Sequence, residues 1–174
     1  VCFQATFIKT IMSINMEKKQ KPSGAGIVCY FDNRLGELQS YEKDILYLCL
    51  TTHKGRYDFP KGAIDYKEEI EACALRETYE ECNLDLFDFV SLSDDAFQCG
   101  RGLFMFLGEI KLSSIKNIKI KMNPKMKIYE HTGFKFLTIE NILKKDEVLD
   151  KPRLYSYLRD SLKWADNIIR EPLE

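Results

Sequence analysis

The sequence predicts an α/β (α+β) fold, a mixed sheet sandwiched between helices. Three observations carry this. Apolar, β-rich runs and helical patterns follow one another in the order strands, helix, strands, helix. The first helix is short and crowded with carboxylates, and the last one carries an apolar stripe at helical spacing. A chain of 174 residues, 45% hydrophobic and 30% charged, suits one domain with a real core.

The stretch VCFQATFIKTIMSINMEKKQK (1–21) stands outside the periodic pattern. It shows none of the n-region, h-region and cleavage-site order of a secretory signal, has candidate starts at Met12 and Met16, and is expected to be a loosely ordered extension. Pro22-Ser23-Gly24 opens the domain, taken as 22–174. AGIVCYF (25–31) and DILYLCLTT (44–52) read as paired strands joined by a long loop containing Gly36. A helix follows over about 68–81, then strand-like LDLFDFVSL (84–92) and GLFMFLGEI (102–110). The segment KLSSIKNIKIKMNPKMK (111–127) carries six lysines and no acid. It reads either as an edge strand whose lysines block edge-to-edge pairing or as a phosphate-tracking stripe. KIYEHTGFKFLT (127–138) has strand spacing, and a short helix is expected near 139–145. The last helix spans 153–169, with Pro152 at its start and Leu154, Tyr157, Leu158, Leu162, Ala165 and Ile169 as its apolar stripe.

A net charge of -1 provides no global attraction for nucleic acid or an anionic membrane, so such a partner needs a local patch. No apolar run approaches the roughly 18 residues of a membrane span. The six cysteines show no metal-ligand pairing and read as reduced thiols of an intracellular, cytoplasmic protein rather than as a disulfide scaffold.

In YDFPKGAIDYKEEIEACALRETYEECNLDL (57–86), Glu77, Glu80 and Glu81 stand at i, i+3 and i+4, within one helical turn and beside Arg76. An ordinary solvated acidic face is the general alternative. These acids, however, share their face with apolar Ile70, Cys73 and Ala74, while Ala72, Leu75, Tyr79 and Cys82 are expected to dock on the sheet. Oxygen donors so grouped suit a hard divalent cation such as Mg²⁺.

Gly62, Glu68, Arg76-Glu77, Glu80-Glu81 and Leu84, at these fixed spacings, resemble the Nudix box, the loop-helix-loop signature of hydrolases acting on a nucleoside diphosphate linked to another moiety. Thr78 departs from the aliphatic residue preferred there, and Asn83 from glycine; asparagine still suits a left-handed helix end. The resemblance implies the Nudix fold, with Glu77, Glu80, Glu81 and the Gly62 carbonyl as ligands of Mg²⁺ or Mn²⁺, and with Arg76 and Glu68 bracing loop and helix. Pro60-Lys61-Gly62 is similar to diadenosine tetraphosphate hydrolases, RNA pyrophosphohydrolases and decapping enzymes, where the Lys61 ammonium would meet a polyphosphate chain. The Glu130-His131 pair leading into an aromatic strand looks like the diadenosine tetraphosphate pattern.

Glu130 is the candidate base or extra ligand; the alternative is a surface acid. His131 would bond a phosphate or a base edge, or cap a loop. Tyr129, Phe134 and Phe97 are candidates to stack on a purine or to fill the core. The implied substrate is a dinucleoside polyphosphate. Capped or triphosphorylated RNA, held by a patch of Lys111, Lys116, Lys119, Lys121, Lys125 and Lys127, is the second reading. A diphosphoinositol polyphosphate and a non-catalytic nucleotide- or RNA-binding module are further ones.

Overall fold

A computed structural model describes residues 21–171 of the chain. The expectation for residues 1–21 thus falls, Lys21 apart, outside the described residues. The central sheet runs in the order β3 (Tyr57–Asp58), β2 (Ile45–Thr52), β1 (Gly24–Asp32), β7 (Leu103–Ile110), β5 (Phe89–Leu92). Three further strands join it: β4 (Lys61–Ala63) on β1, β6 (Phe97–Cys99) on β7 and β8 (His131–Leu137) on β2. Among the described strands of this sheet, only β1 and β7 form a parallel ladder, so the sheet is mixed as expected. The parallel pairing needs a long crossover, and α1 (Ile70–Cys82) lies within it.

Both faces of the sheet are covered. Ala25, Ile27, Cys29 and Phe31 of β1 with Leu46, Leu48 and Leu50 of β2 pack toward α1. Val28, Ile45, Tyr47 and Cys49 pack the other way, against Ile142 of α2 (Ile139–Leu143) and Leu162 and Ala165 of α3 (Arg159–Arg170). A strand buried on both faces has no polar side, which is why AGIVCYF and ILYLCL read as continuous apolar runs. Each large side chain so buried contributes about 1.5–3 kcal/mol. Cys29, Cys49, Cys73, Cys82 and Cys99 are buried free thiols. No helix among the described residues is long and apolar enough to cross a membrane.

Three expectations are corrected. The face of α1 on the sheet is Cys73, Ala74, Thr78 and Cys82, while Ala72 and Tyr79 are exposed. Small side chains let the helix approach closely, and the Thr78 hydroxyl is satisfied by donating to the Ala74 carbonyl at 2.8 Å. Glu77 and Glu81 extend this packed face rather than an opposite one, since each lies four residues beyond Cys73 or Glu77.

The lysine-rich segment is not a strand. It forms a 3-10 helix, Leu112–Asn117, and then an irregular chain. Ile118 is buried, Ile115 and Ile120 pack on the core, and the amides of Lys119 and Lys121 donate to the Cys82 and Glu81 carbonyls, each at 3.2 Å. The segment thus closes the open end of α1 instead of edging the sheet.

The last helix begins at Arg159, not at Arg153 just after Pro152. Pro152 lies in β10 (Lys151–Pro152), which pairs with β9 (Lys145–Asp146), and Leu154 bridges to Tyr57. Arg56 donates to the Arg153 and Leu154 carbonyls, at 2.8 and 3.3 Å, so this stretch is held extended. A 3-10 turn, Ser156–Leu158, leads into α3 and leaves Tyr157 half exposed rather than in the stripe.

Candidate active site

The acid helix is placed by its two ends. Asn83 takes the left-handed conformation, φ 64°, with its amide on the Tyr79 carbonyl at 3.0 Å, as a helix-ending residue should. Its side chain also donates to the Asn117 carbonyl at 3.0 Å, a tie that glycine could not make. At the loop end, Gly24 and Gly26 of β1 lie against Gly62 and Lys61 of β4, and a Cβ on Gly26 would overlap Pro60 and Lys61. A Cβ on Gly62 would overlap the Glu77 carboxylate itself. The loop glycine is therefore the surface on which Glu77 rests.

Arg76 ties loop to helix. Its Nε and Nη2 donate to the two oxygens of Glu68 at 2.7 and 2.8 Å, Nη2 also to the Ala63 carbonyl at 2.9 Å, and Nη1 to Glu77 Oε1 at 2.6 Å. Glu80 Oε2 lies 3.5 Å from Nη1. The guanidinium beside it holds the Glu68 carboxyl down to about 2. Burial pushes Glu77 up, against the pull of Arg76. Burial also pushes Glu81 up to about 9, although the Lys61 ammonium and its amide, which donates to Glu81 Oε2 at 3.0 Å, oppose it.

Glu77, Glu80 and Glu81 line one polar cavity of about 10 Å³ together with Lys121, Asn123, Glu130 and His131. The structure thus brings the box glutamates and the Glu130-His131 pair together across 49 positions of sequence, from Glu81 to Glu130. Glu130 accepts a hydrogen bond from the Asn123 amide group. His131, 5% exposed, sits between Asp58, 3.8 Å from Nε2, and Glu81, 4.0 Å from Nδ1. As they stand, no three His, Cys, Asp or Glu side chains among the described residues are grouped closely enough to hold one ion. Glu77 is turned to Arg76 and Glu81 to the Lys61 amide. The donor set fits a hard divalent cation nonetheless, being carboxylate oxygens around a small polar space, with Glu77 and Glu81 raised by burial.

Two grooves flank this cavity. One, of about 850 Å³, is lined by His53, Lys54, Asp58, Met126, Tyr129 and Tyr155, and shares Glu130 and His131 with the cavity. The other, of about 660 Å³, is lined by Ser23, Gly24, Lys61, Gly62, Leu103 and Tyr157 among others. Tyr155 and Tyr157 stack at 5.7 Å between them. Gly62 lines the second groove, and its carbonyl lies 3.7 Å from the Cys73 thiol. The Lys61 ammonium is raised in pKa by Asp58 against its burial and is bonded to Asp58 at 2.8 Å.

The remaining candidates are distributed. Tyr129 is exposed on the first groove, Phe134 meets Phe136 edge-on, and Phe97 packs on Trp164. Of the six lysines, Lys111 donates to the Phe87 carbonyl, Lys121 stands over the Tyr79 ring and Lys125 pairs with Asp65. Asp58, Asn123 and Tyr157 line the candidate cavity and its grooves and were not among the candidates that sequence reasoning named. Asp58 stood three positions before Lys61 as the only available signal; Asn123 had none.

A model of the NUDIX domain family matches residues 22–158. Among solved structures, the chain is similar to an Ap4A hydrolase of C. elegans in a binary complex, with 19% identity and a TM-score of 0.58 over 84% of this chain and 97% of that one. It is similar to a Bacillus subtilis pyrophosphohydrolase at 16% identity and a TM-score of 0.55, over 90% and 86% of the two chains. The NUDIX domain of Shewanella oneidensis NrtR complexed with ADP ribose matches at 13% identity and a TM-score of 0.51, over 92% and 97%. At such identities the likeness is one of fold. No curated protein matches the sequence.

Proposed function

The chain belongs to the NUDIX domain family, a Nudix hydrolase by its complete set of box glutamates, and we propose that it cleaves phosphoanhydride bonds of nucleoside polyphosphates in a metal-dependent reaction, with dinucleoside polyphosphates such as diadenosine tetraphosphate as its substrates. The observation that carries this reading is the single polar cavity shared by Glu77, Glu80, Glu81, Glu130 and His131, with a groove on either side. Glu77, Glu80 and Glu81, with the Gly62 carbonyl, would hold Mg²⁺ or Mn²⁺. The ion supplies neutralisation of phosphate oxygens and a more acidic water.

The protein's own residues do the rest. Arg76 orients Glu77 and locks the loop through Glu68. Glu130, steadied by Asn123, faces the box glutamates and serves as the base that takes a proton from the attacking water. Lys61, on the groove of Tyr157, and His131, on that of Tyr129, bear on the phosphate chain, and Tyr129 offers a ring to a nucleobase in its groove.

A second reading, hydrolysis at the 5′ end of RNA, is favoured by one feature. Met126, Ile128 and Tyr129 beside His53 and Lys54 form an open apolar and basic groove. Against it, Lys111, Lys121 and Lys125 of the lysine-rich segment have partners within the protein. The aromatic lining speaks against a diphosphoinositol substrate, and the intact glutamates speak against a non-catalytic module. Product analysis across diadenosine tetraphosphate, nucleoside triphosphates, a diphosphoinositol polyphosphate and cap-labelled RNA, with Mg²⁺ or Mn²⁺ and with Glu81→Gln as control, tests the proposal. Turnover of dinucleotides, lost by about a thousandfold in the control, is expected. Turnover that survives Glu81→Gln would refute the site.

A further inference from the structure

Asp58 belongs neither to the acid helix nor to the segment carrying Glu130 and His131, yet it lies between them. It is the last residue of β3 and 6% exposed. Its Oδ1 accepts from the Phe59 amide at 2.9 Å, while its Oδ2 accepts from Lys61 Nζ at 2.8 Å and stands 3.8 Å from His131 Nε2. Both oxygens are occupied within the protein. Lys61 is consequently held at two points, its ammonium by Asp58 and its amide by Glu81 Oε2. The ammonium also lies 5.8 Å above the Tyr157 ring. Asp58 opens on the groove of Tyr129 and Lys61 on the groove of Tyr157, so the ion pair stands in the wall that divides them.

A free lysine stem samples many rotamers, and ordering it costs conformational entropy. A buried ion pair is also seldom the best way to stabilise a fold, because desolvation consumes most of its attraction. Closing the turn after β3 needs only an acceptor for the Phe59 amide, which asparagine would supply equally well. The charge therefore calls for another role. The geometry points to Asp58 as a positioning residue that acts through Lys61: it touches no substrate and holds the ammonium where a phosphate chain crosses between the grooves. The inference rests on the reading of Lys61 as a phosphate contact.

The test is a kinetic cycle of Asp58→Asn, Lys61→Met and the double variant, with diadenosine tetraphosphate and Mg²⁺. Lys61→Met is expected to raise KM about tenfold, Asp58→Asn to raise it by a similar factor, and the double variant to be no worse than Lys61→Met alone. Multiplying effects, or an Asp58→Asn variant with parental KM, overturn the inference while leaving the function in place. An unchanged KM in Lys61→Met overturns the reading of Lys61 instead. A second measurement needs no turnover: acetylation of Lys61 by acetic anhydride, followed by mass spectrometry, should be several-fold faster in Asp58→Asn than in the parent. Equal rates refute the positioning. If Asp58→Asn does not fold, Asp58→Glu, which moves the carboxylate by one methylene, carries both measurements, with parental KM and parental acetylation as the refuting results.

Discussion

Gly62→Ala separates the site from the fold more sharply than any change to a charged residue. A Cβ at Gly62 would fall on the Glu77 carboxylate, far inside the 3.4 Å at which ordinary contact begins. The backbone itself is not strained, since Gly62 is not among the positive-φ residues, and the clashing atoms are the far end of a flexible side chain. Glu77 must therefore retreat by about 1 Å, lengthening its 2.6 Å bond to Arg76 Nη1. Losing one such charge-assisted bond costs about 1.5–3 kcal/mol, and part of that returns when the carboxylate meets water. For a domain of this size the midpoint of thermal unfolding should fall by only about 2–6 °C. A displacement of about 1 Å at a reacting centre, by contrast, costs on the order of a hundredfold in turnover. The assay is kcat on diadenosine tetraphosphate beside a calorimetric melt. Gly133→Ala, with nothing within 4 Å of the added methyl, serves as the control and should be neutral. A Gly62→Ala protein with turnover within about threefold of the parent would show that Glu77 does not need its observed place.

Arg76→Lys keeps the charge but cannot form the fork to Glu68 together with the bonds to Ala63 and Glu77, so a stability loss of about 2 kcal/mol in denaturant titration and a fall in kcat are expected together. An effect on KM alone would make Arg76 a substrate contact. The folded-state carboxyl of Glu68, held at about 2, lies below its ordinary 4.5, so its contribution is complete above 4.5 and is lost as pH falls toward 2. The Glu68→Gln variant should be less stable than the parent at pH 7, with the difference shrinking in melts at pH 3; a gap independent of pH would show that the pair with Arg76 is not its source. Replacing Lys116, Lys119 and Lys127 together by Gln should leave diadenosine tetraphosphate hydrolysis unchanged, along with the salt dependence of any RNA cleavage, whose slope is about 0.7 per phosphate contacted. A large, salt-sensitive loss of RNA cleavage, with poor dinucleotide turnover by the parent, would reverse the order of the two substrate readings.

What was legible in the chain was local. The spacing of Glu77, Glu80 and Glu81 is a property of the helix, and so is the left-handed turn at Asn83, because a helix and its cap are set within a few residues of sequence. The central strands were legible for a related reason: burial on both faces leaves an uninterrupted apolar run whatever its neighbours are. Which face of α1 docks was not legible, since Cys73, Ala74 and Thr78 compete with Ala72, Leu75 and Tyr79 as comparable stripes, and only the close approach to β1 selects the smaller set. The lysine-rich segment looked like a strand because its isoleucines alternate. Its amides were claimed instead by the open carbonyls of Glu81 and Cys82, some 37 residues earlier, as counted from Cys82 to Lys119. Tyr157 left its helical stripe because Leu154 was already bound to Tyr57. The meeting of Asp58, Glu81, Glu130 and His131 likewise depends on β3, α1 and β8 arriving at one end of the sheet. Sequence alone determined that Glu77, Glu80 and Glu81 share one helical turn, through short-range geometry. Their distances from Asp58, Glu130 and His131 were decided only by the pairing of distant strands, where contacts far apart in the chain outweigh local preference.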